Sequence, residues 1–538
     1  VPQETQANLN KGSGAMPILT PKGATAYQKA QQMKSNAAAP HNAGIATIKS
    51  STASANLPST FNKFQGQSNS GTVCSYFGSG GCQPPDMGLA ASPTGLALQS
   101  VNTSLSLYNL AGAVQAGWPK SAQNFFGVPA PLPANCDPGS NNQPFLSDPR
   151  SWFDPFDNRW GEAELQVEGG LGIAPSCNFV TKYWIATSKT SDPNGGWNIF
   201  AINMAFGSDP TAAADYTQFG YNGDGLYVSA NMFGTGFYAE VVGCGPKSSI
   251  YAGASFACHG YYNLTVGSVV IDTVNPVQNP MSSDNSPTSE FFVSSFNSPD
   301  PFGNDCVSTA CHGASIWSFS DPGSGSNIFT GAFVDTSKTY VEPPGADQPS
   351  CTGGAGCVES LDTRVSATPV YHAGAIWAAH VTGITNASSQ FVPGIQWWQF
   401  SATLAPGYPT HITSATEVQD AYLNASNNYT ALTFPVIMPD LDNDIIMGYD
   451  YMGDTVFPSI NFTDRRVTDP LNSMTGGLGI IAVSGTVSTS NSRWGDFEAM
   501  SYPATYQDTI WFSSQYANPA TSGDWITSIM RLHLAING

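Results

Sequence analysis

The chain has 538 residues, of which only 10% are charged, and its formal net charge is -20. Eighteen Lys and Arg in so acidic a chain leave no cationic cluster to neutralise phosphates, which excludes nucleic acid and an anionic membrane surface as partners. A hydrophobic share of 41% suffices for a large core, and no run approaches the ~18 uninterrupted apolar residues of a membrane-spanning helix.

Residues 1–72 read as a polar N-terminal arm. They are rich in Ala, Gln, Ser and Asn, and carry Lys11, Lys22, Lys29, Lys34, Lys49 and Lys63. Such a segment buries too little apolar area to fold alone, so it orders only when docked. It can run over its own domain or add a strand to an exposed edge of another copy. Met16 to Thr20 offers a small apolar anchor, and Ala46 to Ala53 has the β-branched character of an added strand.

Ten cysteines follow in neighbouring pairs. The simplest reading is five disulfides: Cys74 with Cys82, Cys136 with Cys177, Cys244 with Cys258, Cys306 with Cys311, and Cys351 with Cys357. No C-x-x-C is present, so the adjacent His259 and His312 do not suggest zinc. Disulfides place the chain in an oxidising compartment. The expectation is an extracellular or cell-surface protein from which a signal peptide has been removed. N-glycosylation sequons begin at Asn102, Asn263, Asn386, Asn424, Asn428 and Asn461, a number that chance also gives in a chain rich in Asn, Ser and Thr.

Residues 73–538 read as one all-β domain. Short alternating runs recur, as in Leu226 to Met232, Glu290 to Phe296, Ala373 to His380 and Thr509 to Gln515. Turn signals at Asp192 to Gly195, Asn222 to Gly225 and Asp321 to Gly323 separate them. A weaker, longer period opens units near Asp86, Asp148, Asp215, Glu290, Asp362, Pro439 and Asp496. About four strands per unit is the signature of a β-propeller, here with seven blades; long insertions leave six or eight open, and paired β-sandwiches are the rival architecture.

Several units resemble a broad group of secreted bacterial and archaeal β-propeller proteins described as sialidase-like. The resemblance is carried by Pro84-Pro-Asp86, Ser147-Asp-Pro149 with Phe153 to Trp160, and Asp215-Tyr216 with Gly220 to Asn231. Arg364, Tyr371, His380 and Gly394 to Trp398 continue it, followed by Met447 to Tyr449, Arg465 and Arg493 to Ser501. It implies the fold and says little of function, because propellers host unrelated activities. Sialidase features are missing. No Arg-Ile-Pro opens the domain, and Thr190 to Trp197 is only an irregular Asp-box.

If the chain is an enzyme, its candidates are the blade-opening Asp86, Asp148, Asp215, Asp362 and Asp496, since glycosidic hydrolysis uses two carboxylates ~5–9 Å apart. Arg150, Arg364 and Arg493 would form a clamp for a substrate carboxylate. The stronger reading is structural, with each Asp accepting backbone N–H groups and fixing where an innermost strand begins. No cofactor is expected. Asp440, Asp442 and Asp444 superficially suggest a Ca2+ loop but read better as a hairpin turn. Glu162, Glu164 and Glu168 read as a solvated strand face, and Trp377, Trp397, Trp398 and Trp511 as core between blades. Serine-hydrolase, metalloprotease and nucleotide-binding signatures are absent. The resulting expectation is a secreted, non-catalytic propeller. It binds a surface glycan or protein, or other copies of itself through the arm. The rival is a glycoside hydrolase or lyase acting from the funnel.

Overall fold

The computed structural model describes residues 5–6, 8–11, 59–69, 84–128, 146–168, 180–207, 209–234, 236–280, 289–297, 299–426, 428–490, 492–503, 509–518 and 525–534. Cys74, Cys82, Cys136 and Cys177, both arm segments named above and the side chain of Glu168 lie outside these.

Alternating, turn-punctuated runs fold as seven antiparallel blades around one axis. The innermost strands of the first six are Met87–Ala91, Leu146–Asp154, Ala213–Tyr221, Asn275–Pro276, Val370–His372 and Ala431–Pro439. The seventh blade begins at Ala499–Ser501, passes through Thr509–Ala517 and Trp525–His533, and takes its outermost strand from Ser59–Ser68. Part of the segment 1–72 therefore contributes a strand to the propeller. Glu290 lies in the second strand of the fourth blade, not at its opening, and Pro439 ends the innermost strand of the sixth. Farther up the arm, Thr5–Gln6 and Asn8–Lys11 pair in parallel with the outermost strands of the second and third blades of the same chain.

The blades are held by interleaved apolar faces. Trp152 stacks on Phe219 at 3.8 Å across one seam, and a Cβ on Gly161 would meet the Trp152 ring at 1.8 Å, so only glycine fits there. Trp377, Trp397, Trp398 and Trp511 are all buried, as core residues between blades should be. Glu162 and Glu164 are 0% exposed, which overturns their reading as a solvated face. In a propeller both faces of a middle strand are covered by neighbouring blades, so alternation there does not mean alternate exposure. Among the described cysteines, Cys244 bonds Cys258, Cys306 bonds Cys311 and Cys351 bonds Cys357.

Candidate functional site

On one face, the chain crosses from the outermost strand of each blade to the innermost strand of the next. Three innermost strands break register at Ser147/Arg150, Asp215/Gln218 and Thr433/Val436. At these bulges Asp148, Tyr216 and Phe434 adopt φ of 55°, 55° and 50°. Positive φ is costly for bulky residues, and a bulge re-aims the side chains that follow it.

The opening aspartates mainly tie one blade to the next. Asp86 accepts the Asp496 N–H at 2.7 Å and the Asn102 side-chain amide at 2.8 Å. Asp148 accepts the Thr217 N–H at 3.3 Å, and its own N–H donates to Asn102 at 2.9 Å. Asp362 accepts three hydrogen bonds from Arg364, from its backbone N–H at 3.0 Å, from Nε at 2.7 Å and from Nη2, and accepts Asn297 at 2.9 Å. Asp496 accepts Arg493 at 2.7 Å. Asp215 is half-buried at its bulge.

Arg150, Arg364 and Arg493 do converge near the axis. Arg150 lies 3.3 Å over the Phe497 ring and Arg364 lies 4.5 Å over Tyr216, and the two rings meet edge to face. Yet the groups are engaged within the protein. Arg364 pairs with Asp362, and Arg493 pairs with Asp496 and, at 3.2 Å, with Glu359. Arg150 donates to the Thr217 carbonyl at 3.3 Å and keeps one buried nitrogen, Nη2, without a partner. Burial lowers the Arg150 pKa, while at Arg364 the Asp362 carboxylate more than offsets burial and raises it.

Below this layer the described residues enclose a small cavity. Arg150, Gln278, Met87, Met438, Met500 and Glu498 surround a cavity of about 20 Å³, room for one water rather than a sugar ring. Glu498 and the nearby Asp450 are buried carboxyls. Burial pushes Glu498 well above the ordinary range, with the Asp450 charge adding to it, and raises Asp450 to about 7. Ser514, Trp494 and Gln515 donate to Asp450 at 2.6–2.8 Å.

Two larger recesses occupy the opposite face, built from hairpin turns. One, of about 630 Å³, is lined by Arg159, Lys189, Trp197, Asn198, Tyr251 and Phe256, among others. The other, of about 310 Å³, adjoins it through Asp157 and is lined by Asp224, Lys247, Asp321 and Tyr408. Lys247 is buried between them. It pairs with Asp154 at 2.7 Å and with Asp157 at 3.1 Å, beneath the Phe156 ring at 4.7 Å. Tyr251 donates to the same Asp154 at 2.8 Å. Sequence reasoning missed this face. Its one available signal was the clustering of Trp, Tyr and charged residues in turn segments.

The remaining candidates are turn and core groups. The Asp440 side chain accepts the N–H groups of Asp442 and Asp444 at 2.9 Å, and Asp444 pairs with Arg466, which makes this segment a capped hairpin turn. Asn102, Asn386, Asn424 and Asn461 are buried, whereas Asn263 is half-buried and Asn428 exposed.

No family model matches this chain, and no curated protein matches it in sequence. Among solved structures it is similar to the hemagglutinin-neuraminidase ectodomain of parainfluenza virus 5, with a TM-score of 0.36, 6% identity, and 70% of this chain and 80% of that chain covered. It is also similar to Trypanosoma rangeli sialidase in complex with sialic acid, with a TM-score of 0.35, 7% identity, and 83% and 60% covered. A third is a polysaccharide lyase, ulvan lyase of family PL25, with a TM-score of 0.39, 12% identity, and 84% and 94% covered.

Proposed function

We propose that this chain is a secreted, non-catalytic propeller that binds a glycan at an extracellular surface. One observation carries the reading. Three of the candidate carboxylates at the axis are engaged within the protein, Asp86 by the Asp496 N–H, Asp496 by Arg493 and Asp362 by Arg364, over a cavity of about 20 Å³. A hydrolase needs two carboxyls free to exchange protons with substrate and water. Here Asp86, Asp362 and Asp496 are buried and bonded. Open volume in the size range of ligand sites, ~300–1,000 Å³, lies on the opposite face. Three disulfides are compatible with secretion. The described arm strands pair with this chain's own edges, so the proposal rests on glycan binding and not on the arm.

A second reading, glycoside hydrolase or lyase, is favoured by a single feature: three arginines from separate blades meeting near the axis. Incubation with a panel of polysaccharides separates the two. Binding without new reducing ends or unsaturated products supports the binding module. Turnover that is lost in Arg364→Ala supports the enzyme.

A further inference from the structure

We infer that the groove of about 630 Å³ on the hairpin-turn face is the glycan site, and that it takes an acidic polysaccharide bearing carboxylate or sulfate groups. This rests on the glycan-binding reading above and adds to it a location and a ligand class.

Cations are scarce in this chain, 18 among 538 residues, yet Arg159 and Lys189 line one groove. Neither is neutralised by a carboxylate among the described residues. Arg159 is oriented by carbonyls, donating to Asp157 O at 2.9 Å and Asn158 O at 3.1 Å, and its Nε finds no acceptor. Carbonyls fix the guanidinium without cancelling its charge. The exposed Lys189 lies with its stem along Gly196: its Cδ is 3.2 Å from where a Cβ on that glycine would stand. The acids nearby offset them only in part. Asp157 is held by the buried Lys247, and Asp192, in the same turn as Lys189, accepts the N–H of Asn194 at 2.9 Å. Among its lining residues two cations, Arg159 and Lys189, stand against one carboxylate, Asp157, a local excess of positive charge inside a strongly negative molecule.

The walls suit a sugar chain. Trp197 and Phe256 are half-buried, so each ring keeps an open part. The Trp197 indole is fixed by its N–H to the Pro193 carbonyl at 3.1 Å and by the Phe125 ring, 5.1 Å away edge to face. Phe256 is braced edge to face on Phe200 at 4.8 Å. Rigid aromatic walls offer apolar faces to pyranose C–H groups, and the two cations meet the acidic substituents. At neutral pH the overall charge of -20 opposes a polyanion. Near the pI of about 4.4 that opposition vanishes while sulfate stays charged, so binding should strengthen as pH falls.

The test uses the full chain and titration calorimetry with alginate, chondroitin sulfate, dextran and polyglutamate. The expected result is binding of the two acidic polysaccharides but not dextran, weakened at least tenfold in Lys189→Gln, Arg159→Gln and Trp197→Ala. Lys189 is exposed, so its variant should melt as the parent does and keeps the test independent of folding. Polysaccharide binding that none of the three variants weakens overturns the groove and leaves the glycan reading standing. Dextran bound as tightly as alginate overturns the acidic class. Polyglutamate bound as tightly as chondroitin sulfate overturns a sugar ligand in favour of an acidic peptide. Failure to bind any polysaccharide removes the glycan reading itself.

Discussion

The backbone N–H of Asp496 donates to Oδ1 of Asp86 at 2.7 Å, joining the head of the last blade to the head of the first. The other oxygen of Asp86 takes the Asn102 amide, so one side chain fastens two segments at the ring's closing seam. Asp86→Ala should leave two buried donors unsatisfied and cost about 2–4 kcal/mol. The shift in denaturant midpoint measures it, and an unchanged midpoint would show the seam to be held elsewhere.

Stability should fall as pH rises. Burial raises Glu162 to about 8, Asp450 to about 7, and Asp272 and Asp420 each to about 6. The folded protein keeps these protons where the unfolded chain has released them, so the slope of stability with pH is negative from about pH 4 to about pH 8. Asp362 acts oppositely. Burial raises it, but Arg364 more than offsets this and leaves it below its ordinary value, so its contribution is lost only in stronger acid. Melting temperature should peak on the mildly acidic side. A maximum above neutrality would contradict this.

Truncation should separate two parts of the arm. Removing residues 1–58 keeps the strand Ser59–Ser68 and should leave a cooperative melt. Removing residues 1–69 bares the edge of Trp525–His533, where Lys63, Phe64 and Gln65 pair with Met530, Ile529 and Ser528. That variant should melt lower and aggregate, as chromatography and thermal scans would show.

Loss of the Cys351–Cys357 bridge, with a sequence separation of 6, should be tolerated. Loops this short remove little unfolded-chain entropy, so a double Ser variant should lose only about 2 kcal/mol. Unfolding of that variant at room temperature would mean that the bridge holds more than its own loop.

Any N-linked glycan should sit on Asn428 or Asn263. The side chains of Asn102 and Asn461 are bonded in the interior, and that of Asn386 donates to Gln390 at 3.0 Å. Peptide mapping that finds a glycan on Asn102 in the folded protein would contradict the packing.

Much of the architecture was legible because it is local. The disulfides at Cys244, Cys306 and Cys351 close on neighbours, and the paired Trp397 and Trp398 announce core on both faces of their strand. Glu162 and Glu164 misled for one reason. Alternation of Glu with Ala163 and Leu165 resembles a half-exposed strand, yet packing by adjacent blades buries both faces. Convergence of Arg150, Arg364 and Arg493 on a shared axis was anticipated from their blade positions, but their internal partners were not. Glu359 meets Arg493 across 134 residues of chain, and no local pattern encodes such a meeting. The turn-face groove was invisible for the same reason, since its walls come from separate hairpins.

The seventh blade also sets an order of events during biosynthesis. Ser528 donates to the Phe64 carbonyl across 464 residues, so the first-made strand of the ring has no partner until nearly the whole chain has left the ribosome. Contacts this distant make folding slow and expose unpaired edges along the way. A nascent chain therefore cannot close the ring early, although blades built from neighbouring strands need not wait. A premature stop that removes only Trp525–His533 would deprive both ends of the molecule of their fastening at once.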